Sequence, residues 1–217
     1  MGIPAITPYP MPDKSELPDK VVPWRASPRR AALLIHDMQN YFVDFFPPSE
    51  PPRTTLVDNV ARLRRRCVEL GIPVLYTAQP GRMTDEQRGL LKDVWGAGMT
   101  DSPEHTAIVA ELTPGPADQV FTKWRYSAFH RSALKDELAE RGRDQLIICG
   151  IYAHIGCLAT ASDAFSHDIQ PFLVADAIAD FTPEQHLLAL DYAGRLCAAT
   201  PDTDTVLADL SRGLAGD

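Results

Sequence analysis

Four stretches of this chain end in residues able to move a proton or hold an anion. Asp37 follows the apolar run Ala31 to Ile35, Gln79 follows IPVLYT and Ala78, and Lys123 follows QVFT. The fourth stretch, QLIIC, leads through Gly150 into a turn from Tyr152 to Gly156. The continuous run Ala31 to Ile35 suits a strand buried on both faces of a parallel sheet, and QLIIC is the most strand-like of the four, whereas QVFT is weak by itself. Such strands deliver their last residues to one edge, and ligands of open α/β sheets bind outside that edge. An acid, an amide, an ammonium and a ring of helix-start amides could protonate an anionic substrate and hold its carboxylates. Each residue alone has a plainer reading: Asp37 as a cap or loop aspartate, Lys123 as a surface lysine, Tyr152 as a half-buried packing residue. Their convergence on one edge favours chemistry.

The elements that must position them alternate. After a Pro-rich loop, Leu56, Val60, Leu63, Cys67 and Leu70 recur at spacings of four and three, an amphipathic helix closed by Gly71. Ile72 to Thr77 reads as the second strand, and 81–99 and 103–112 as short helices before a third strand at Gln119 to Thr122. Ser132 to Arg141 reads as a helix, Gln145 to Cys149 as a strand, and a helix of small residues starts near Gly156 with its amides turned back toward the strand ends. Gln170 to Val174 is a fifth strand, Thr182 caps a helix from Pro183 to Leu196, and Cys197 to Ala199 is read as a short last strand. The alternation predicts an α/β three-layer sandwich with a mostly parallel central sheet flanked by helices.

Residues 1–28 carry Pro4, Pro8, Pro10, Pro12, Pro18, Pro23 and Pro28, which exclude a helix or a central strand. Interleaved Ile3, Ile6, Tyr9, Met11 and Trp24 suggest an extended arm lying on the catalytic domain, 29–217, or on a second subunit of a homodimer.

With 217 residues, 45% of them hydrophobic and 23% charged, the chain suits one ordinary globular domain. A formal charge of −8 argues against nucleic acid or an anionic membrane as partner, while leaving a small anionic substrate with carboxylates open. No secretory leader or window of about 18 apolar residues is present, so a cytoplasmic location is expected. Cys67, Cys149, Cys157 and Cys197 lack C-x-x-C spacing and read as buried thiols. The histidines form no H-x-H or H-E-x-x-H, and no glycine-rich phosphate loop occurs, so neither a metal nor a cofactor is expected.

The segments LLIHDMQNYF, YTAQPG, RGLLKDVWG, TKWRYSAFHRS, ICGIYAHIGCLATASDAF and ADAIADF, taken in that order, resemble the isochorismatases of the cysteine-hydrolase-like superfamily. The resemblance runs from the N-terminal arm to about residue 208, and siderophore-pathway and phenazine-pathway members are the nearest in pattern. It implies Asp37 and Lys123 as catalytic residues. In amidase members of the superfamily a nucleophilic cysteine completes the set. Here Gly156 takes that place, as in isochorismatases, and Cys157 falls one residue later. The resemblance further implies that Gln79, Arg88, Tyr152 and Gly156 bind the substrate's carboxylates and hydroxyl groups, with Phe42 and Trp95 as apolar walls. From its DEQRGLL context alone, Arg88 is an ordinary solvated helical arginine.

The implied reaction hydrolyses the enolpyruvyl vinyl ether of isochorismate or of 2-amino-2-deoxyisochorismate, releasing pyruvate and a trans-dihydrodiol or its amino counterpart. It needs a proton on the terminal methylene carbon and no covalent nucleophile, so Asp37 is the expected general acid. A carboxyl of pKa ~3.9 is protonated about once in a thousand molecules at neutral pH, equivalent to ~4 kcal/mol of barrier. Burial and a substrate carboxylate raise that pKa, and Lys123 lowers it. Two other classes fit less well: a cysteine-dependent amidase of the nicotinamidase type working through Cys157, and a silent protein that docks a carrier protein.

Overall fold

The computed structural model describes residues 2–19 and 21–213. Its sheet has five strands, β1 (Ala31–His36), β2 (Val74–Ala78), β3 (Gln119–Thr122), β4 (Gln145–Ile151) and β5 (Gln170–Ala179), in the order β3-β2-β1-β4-β5. Every pairing is parallel, so the expected mostly parallel sheet is wholly parallel. Between them run α1 (Asn40–Val43), α2 (Arg53–Glu69), α3 (Asp85–Arg88), α4 (Leu91–Trp95), α5 (Pro103–Thr106), α6 (Leu134–Glu140), α7 (Leu158–Ser166), α8 (Pro183–Leu196) and α9 (Thr203–Arg212).

β1 is buried along its whole length because its alternate residues feed two cores. Ala31, Leu33 and Ile35 join Leu56, Val60, Leu63 and Cys67 of α2 and Val206 and Leu210 of α9. Ala32 and Leu34 join Leu134 and Leu138 of α6, Ala161 and Ala164 of α7, and Ala189, Leu190 and Ala193 of α8. An apolar run without alternation is what a strand with helices on both faces requires. All four cysteines are free and buried.

The register sets the edge. His36 lies level with Thr77 of β2 and Gly150 of β4, and Ala78 lies level with Thr122 of β3. The chain leaves β1 for β2 and β3 on one side and returns to β4 on the other, which puts the topological switch point at the carboxyl ends of β1 and β4.

Several boundaries differ from the sequence reading. β5 runs five residues beyond Val174, since Ala175, Ala177, Ile178 and Ala179 are apolar and fully buried beside the carboxyl end of β4. Cys197 to Ala199 is no strand; Ala199 makes one bridge to Phe172. A helix the sequence reading passed over, α9, follows, with the Asp202 carboxylate accepting from the Thr205 amide as its cap. The segment after β4 is a π-helical turn, Ala153–Cys157, leading into α7, so Gly156 lies inside the turn rather than at a helix start. Its amides are largely committed: Ile155 and Cys157 donate to Tyr152 O and His154 to Asp180.

Residues 2–12 have no helix or strand. The Ile6 amide donates to Phe45 O and that of Tyr9 to Pro51 O, and both side chains are buried against this same chain. Met1, Lys20 and 214–217, parts of the expected arm and domain, lie outside the described residues. Among the described residues no helix is long and apolar enough to cross a membrane.

Candidate active site

Asp37 leaves β1 with a φ of 51°, a left-handed conformation that aspartate tolerates better than most residues. Its amide donates to Thr77 Oγ1 at 3.1 Å and its Oδ1 accepts the Thr77 hydroxyl at 2.5 Å. The other oxygen, Oδ2, accepts from Lys123 Nζ at 3.1 Å. The Lys123 amide extends the ladder past β3 by donating to Ala78 O at 2.9 Å. Asp37 and Lys123 are both buried, with 6% and 2% of their surfaces exposed. Desolvation pushes the Asp37 carboxyl up, but the Lys123 ammonium, His36 and the Thr77 hydroxyl together outweigh it and hold the group below the usual carboxylate range.

His36 is fully buried, and desolvation pushes its pKa down to about 4. It is therefore neutral at physiological pH, and its 3.7 Å approach to Asp37 is not an ion pair there. Because Ile151 O can only accept, Nδ1 carries the hydrogen and donates to it at 2.9 Å. Nε2 then accepts from the Thr160 hydroxyl at 3.3 Å. The ring lies beside Gly156: a Cβ built there would fall 2.3 Å from His36 Cε1, so glycine is required by close approach.

Gln79 is held through Gln39, whose Oε1 accepts the Gln79 amide at 2.7 Å and whose Nε2 donates to Gln79 O and Thr106 O, both at 2.9 Å. The Gln79 side chain accepts from Arg88 Nη1 at 3.1 Å, and Arg88 Nε donates to Gly96 O at 2.9 Å. Arg88 is buried, not solvated as its local sequence suggested. The capping box of Thr84 and Gln87 starts the one-turn helix α3 that presents it.

The Tyr152 hydroxyl donates to Phe42 O at 2.8 Å, and its ring lies 4.4 Å from that of Phe181 and 6.2 Å from that of Phe42. Trp95 donates from Nε1 to the Tyr126 hydroxyl at 2.9 Å and packs on Phe181 at 5.9 Å. The fully buried Asp180 supports this wall by accepting from the amides of His154 and Phe181. Its own amide donates to the Tyr9 hydroxyl of the N-terminal arm.

These groups line one cleft that opens to solvent on one side. Asp37, Lys123, Gln79, Arg88, Tyr152, Gly156, Phe42 and Trp95, all eight residues singled out from the sequence, line it. Sequence reasoning missed His36, Thr77, Gln39, Arg125 and Phe181. A polar residue at a strand end, such as His36 or Thr77, was the available signal. Cys157 does not reach the cavity: it is fully buried, and desolvation holds its thiol well above the usual range. Among the described residues no group of three or more His, Cys, Asp or Glu side chains is arranged to hold a metal.

The isochorismatase-domain family model matches residues 31–205. Phenazine biosynthesis protein PhzD1 of Pseudomonas aeruginosa is 57% identical over 206 residues, covering 95% of this chain and 99% of that one. An isochorismatase of Bacillus subtilis is 53% identical over 215 residues, covering 99% of this chain and 69% of that one. A solved cysteine hydrolase from Pseudomonas syringae pv. phaseolicola superposes with a TM-score of 0.79 at 20% identity, over 90% of this chain and 99% of that one, a likeness of fold. With the family model spanning the sheet from β1 into α9 and relatives more than half identical along nearly the whole chain, this protein belongs to the isochorismatase family.

Proposed function

We propose that the chain hydrolyses the enolpyruvyl vinyl ether of isochorismate and of 2-amino-2-deoxyisochorismate, as a hydrolase of siderophore or phenazine biosynthesis. The observation that carries this reading is a buried carboxylate, Asp37, hydrogen-bonded to Lys123 in a cavity that no thiol lines. Asp37 delivers its proton to the terminal methylene carbon, which becomes the methyl group of pyruvate. The oxocarbenium ion formed is attacked by water, whose surplus proton returns to Asp37. The hemiketal then collapses by breaking the bond between the former vinyl carbon and the ether oxygen, which leaves as the ring hydroxyl.

Lys123 orients Asp37 and balances its charge after transfer. Gln79, Arg88, Tyr152 and Gly156 hold the carboxylates and hydroxyl groups, and Phe42 and Trp95 keep the site dry, strengthening every charge interaction within it. The depressed pKa of Asp37 in the free protein means that binding must supply the proton-bearing form. An incoming anion and further loss of water both act in that direction. An amidase working through Cys157 would need a thiol that reaches the cavity.

The test is turnover of both substrates in heavy-oxygen water, with pyruvate read by coupling to lactate dehydrogenase. Attack on the oxocarbenium carbon leaves the dihydrodiol free of the label. Label in the ring product would overturn the reaction course, and absence of pyruvate from either substrate would overturn the function.

A further inference from the structure

The cavity holds more positive charge than the residues assigned above can explain. Its charged lining is Lys123, Arg88, Arg125 and Asp37, three cations against one carboxylate, in a chain whose formal charge is −8. Lys123 is matched by Asp37. Among the described residues the two arginines are not: Arg88 donates to Gly96 O and to Gln79 Oε1, and Arg125 Nη1 to the backbone carbonyls of Gln87 and Trp124. Among the described residues no carboxylate pairs with either guanidinium. Two unpaired guanidiniums sharing a half-closed cavity repel each other, and that repulsion, with desolvation as the larger cause, lowers the Arg88 pKa.

A fold tolerates such an arrangement when a ligand supplies the missing negative charge. Arg125 is set rigidly for this. It immediately follows Lys123 and Trp124 at the end of β3, and its Nη1 is anchored to two carbonyls, which leaves Nε and Nη2 without an acceptor among the described residues. Gly89 makes room for the guanidinium, since a Cβ there would fall 2.4 Å from Arg125 Nη2. The planar fork of arginine suits a carboxylate in the bidentate manner that a lysine cannot reproduce.

We propose that Arg125 is a second carboxylate-binding residue of the site, so that Arg88 and Arg125 each take one carboxylate of a dicarboxylate substrate. This rests on the proposed function, whose two substrates both carry two carboxylates. An excess of two positive charges then matches the dianion of isochorismate, and a substrate lacking one carboxylate leaves a guanidinium desolvated and unpaired.

The test compares wild type, Arg125→Gln and Arg125→Lys in pyruvate release from isochorismate at low and high salt. Direct titration of isochorismate into the same proteins carrying Asp37→Asn reads binding without turnover. Arg125→Gln should raise KM and the dissociation constant by roughly ten- to a hundredfold, the size of a lost charge-assisted contact, with the loss falling on KM rather than kcat. Arg125→Lys, which keeps the charge but not the fork, should recover only part of it, and the rise of KM with salt should be shallower in the Gln variant than in wild type. Binding within twofold of wild type in Arg125→Gln would overturn the proposal. So would an Arg125→Lys protein as impaired as Arg125→Gln with an equally lowered melting temperature, the mark of a purely structural anchor. Failure of wild type to release pyruvate would instead overturn the proposed function, and the titrations would still decide the role of Arg125.

Discussion

Lys123 Nζ lies 3.1 Å from Asp37 Oδ2, and the pair is buried at the carboxyl edge of the sheet with the Thr77 hydroxyl on the other carboxylate oxygen. This relationship keeps Asp37 ionised in the free protein, whereas the proposed chemistry begins from its acid form.

The two states leave a kinetic signature. The pH dependence of kcat/KM follows the free protein, where Asp37 is depressed, and that of kcat follows the complex, where substrate carboxylates and lost water raise it. Rate should fall with rising pH in both, but kcat should hold to a higher pH than kcat/KM. Coincident profiles would show that binding does not shift Asp37.

Acid should weaken the fold before carboxylates are titrated. Burial pushes His36 and His186 each down to about 4. An unfolded histidine titrates near ~6.5, so between about pH 6.5 and 4 the unfolded chain takes up protons that the folded one refuses, and stability falls as pH falls. By pH 5 the loss is roughly 2 kcal/mol per histidine, or on the order of ten degrees in melting temperature for the two together. The depressed Asp37 contributes with the opposite residue type but the same direction: its share is present above ~3.9 and lost as pH falls further. A melting temperature flat from pH 7 to 5 would contradict the assignment of these histidines as buried and neutral.

Gly156→Ala tests the contact with His36. The added methyl meets the ring at 2.3 Å, and such overpacking costs about 1–3 kcal/mol, a melting temperature lower by several degrees. Combining it with His36→Ala gives the methyl room, so the two losses should not add. Strict additivity would mean that the two positions do not share that space.

Cys157→Ser should leave most of the turnover in place, since the thiol is buried away from the cavity, and iodoacetamide should not label Cys157 in the folded protein. Abolished activity in a protein that melts normally would revive a thiol mechanism.

Much of this site was legible in the sequence, for a physical reason. Asp37 and Gln79 follow apolar runs that bury as parallel strands, Lys123 follows the short edge strand QVFT in which only Phe121 is buried, and the parallel sheet carries all three positions to one edge. What was not legible depends on three-dimensional proximity. Arg88 sits in a polar helical sequence and is buried because Gly96 O and Gln79 fold over it. Thr77 reads as a strand end, and nothing local announces its bond to Asp37 across forty residues. The π-helical turn at Ala153–Cys157 looks like the start of a helix because its composition is that of α7, which it joins. The missed α9 did leave a signal, the capping Asp202 followed by Val206 and Leu210 four apart on one face.

The most direct test of the account is turnover by Asp37→Asn on isochorismate, with substrate binding measured on the same protein. The amide keeps the shape and the Thr77 contact but has no acid proton to give. The account predicts a kcat lower by about a thousandfold, with a dissociation constant within several-fold of wild type. Turnover near that of wild type would contradict it.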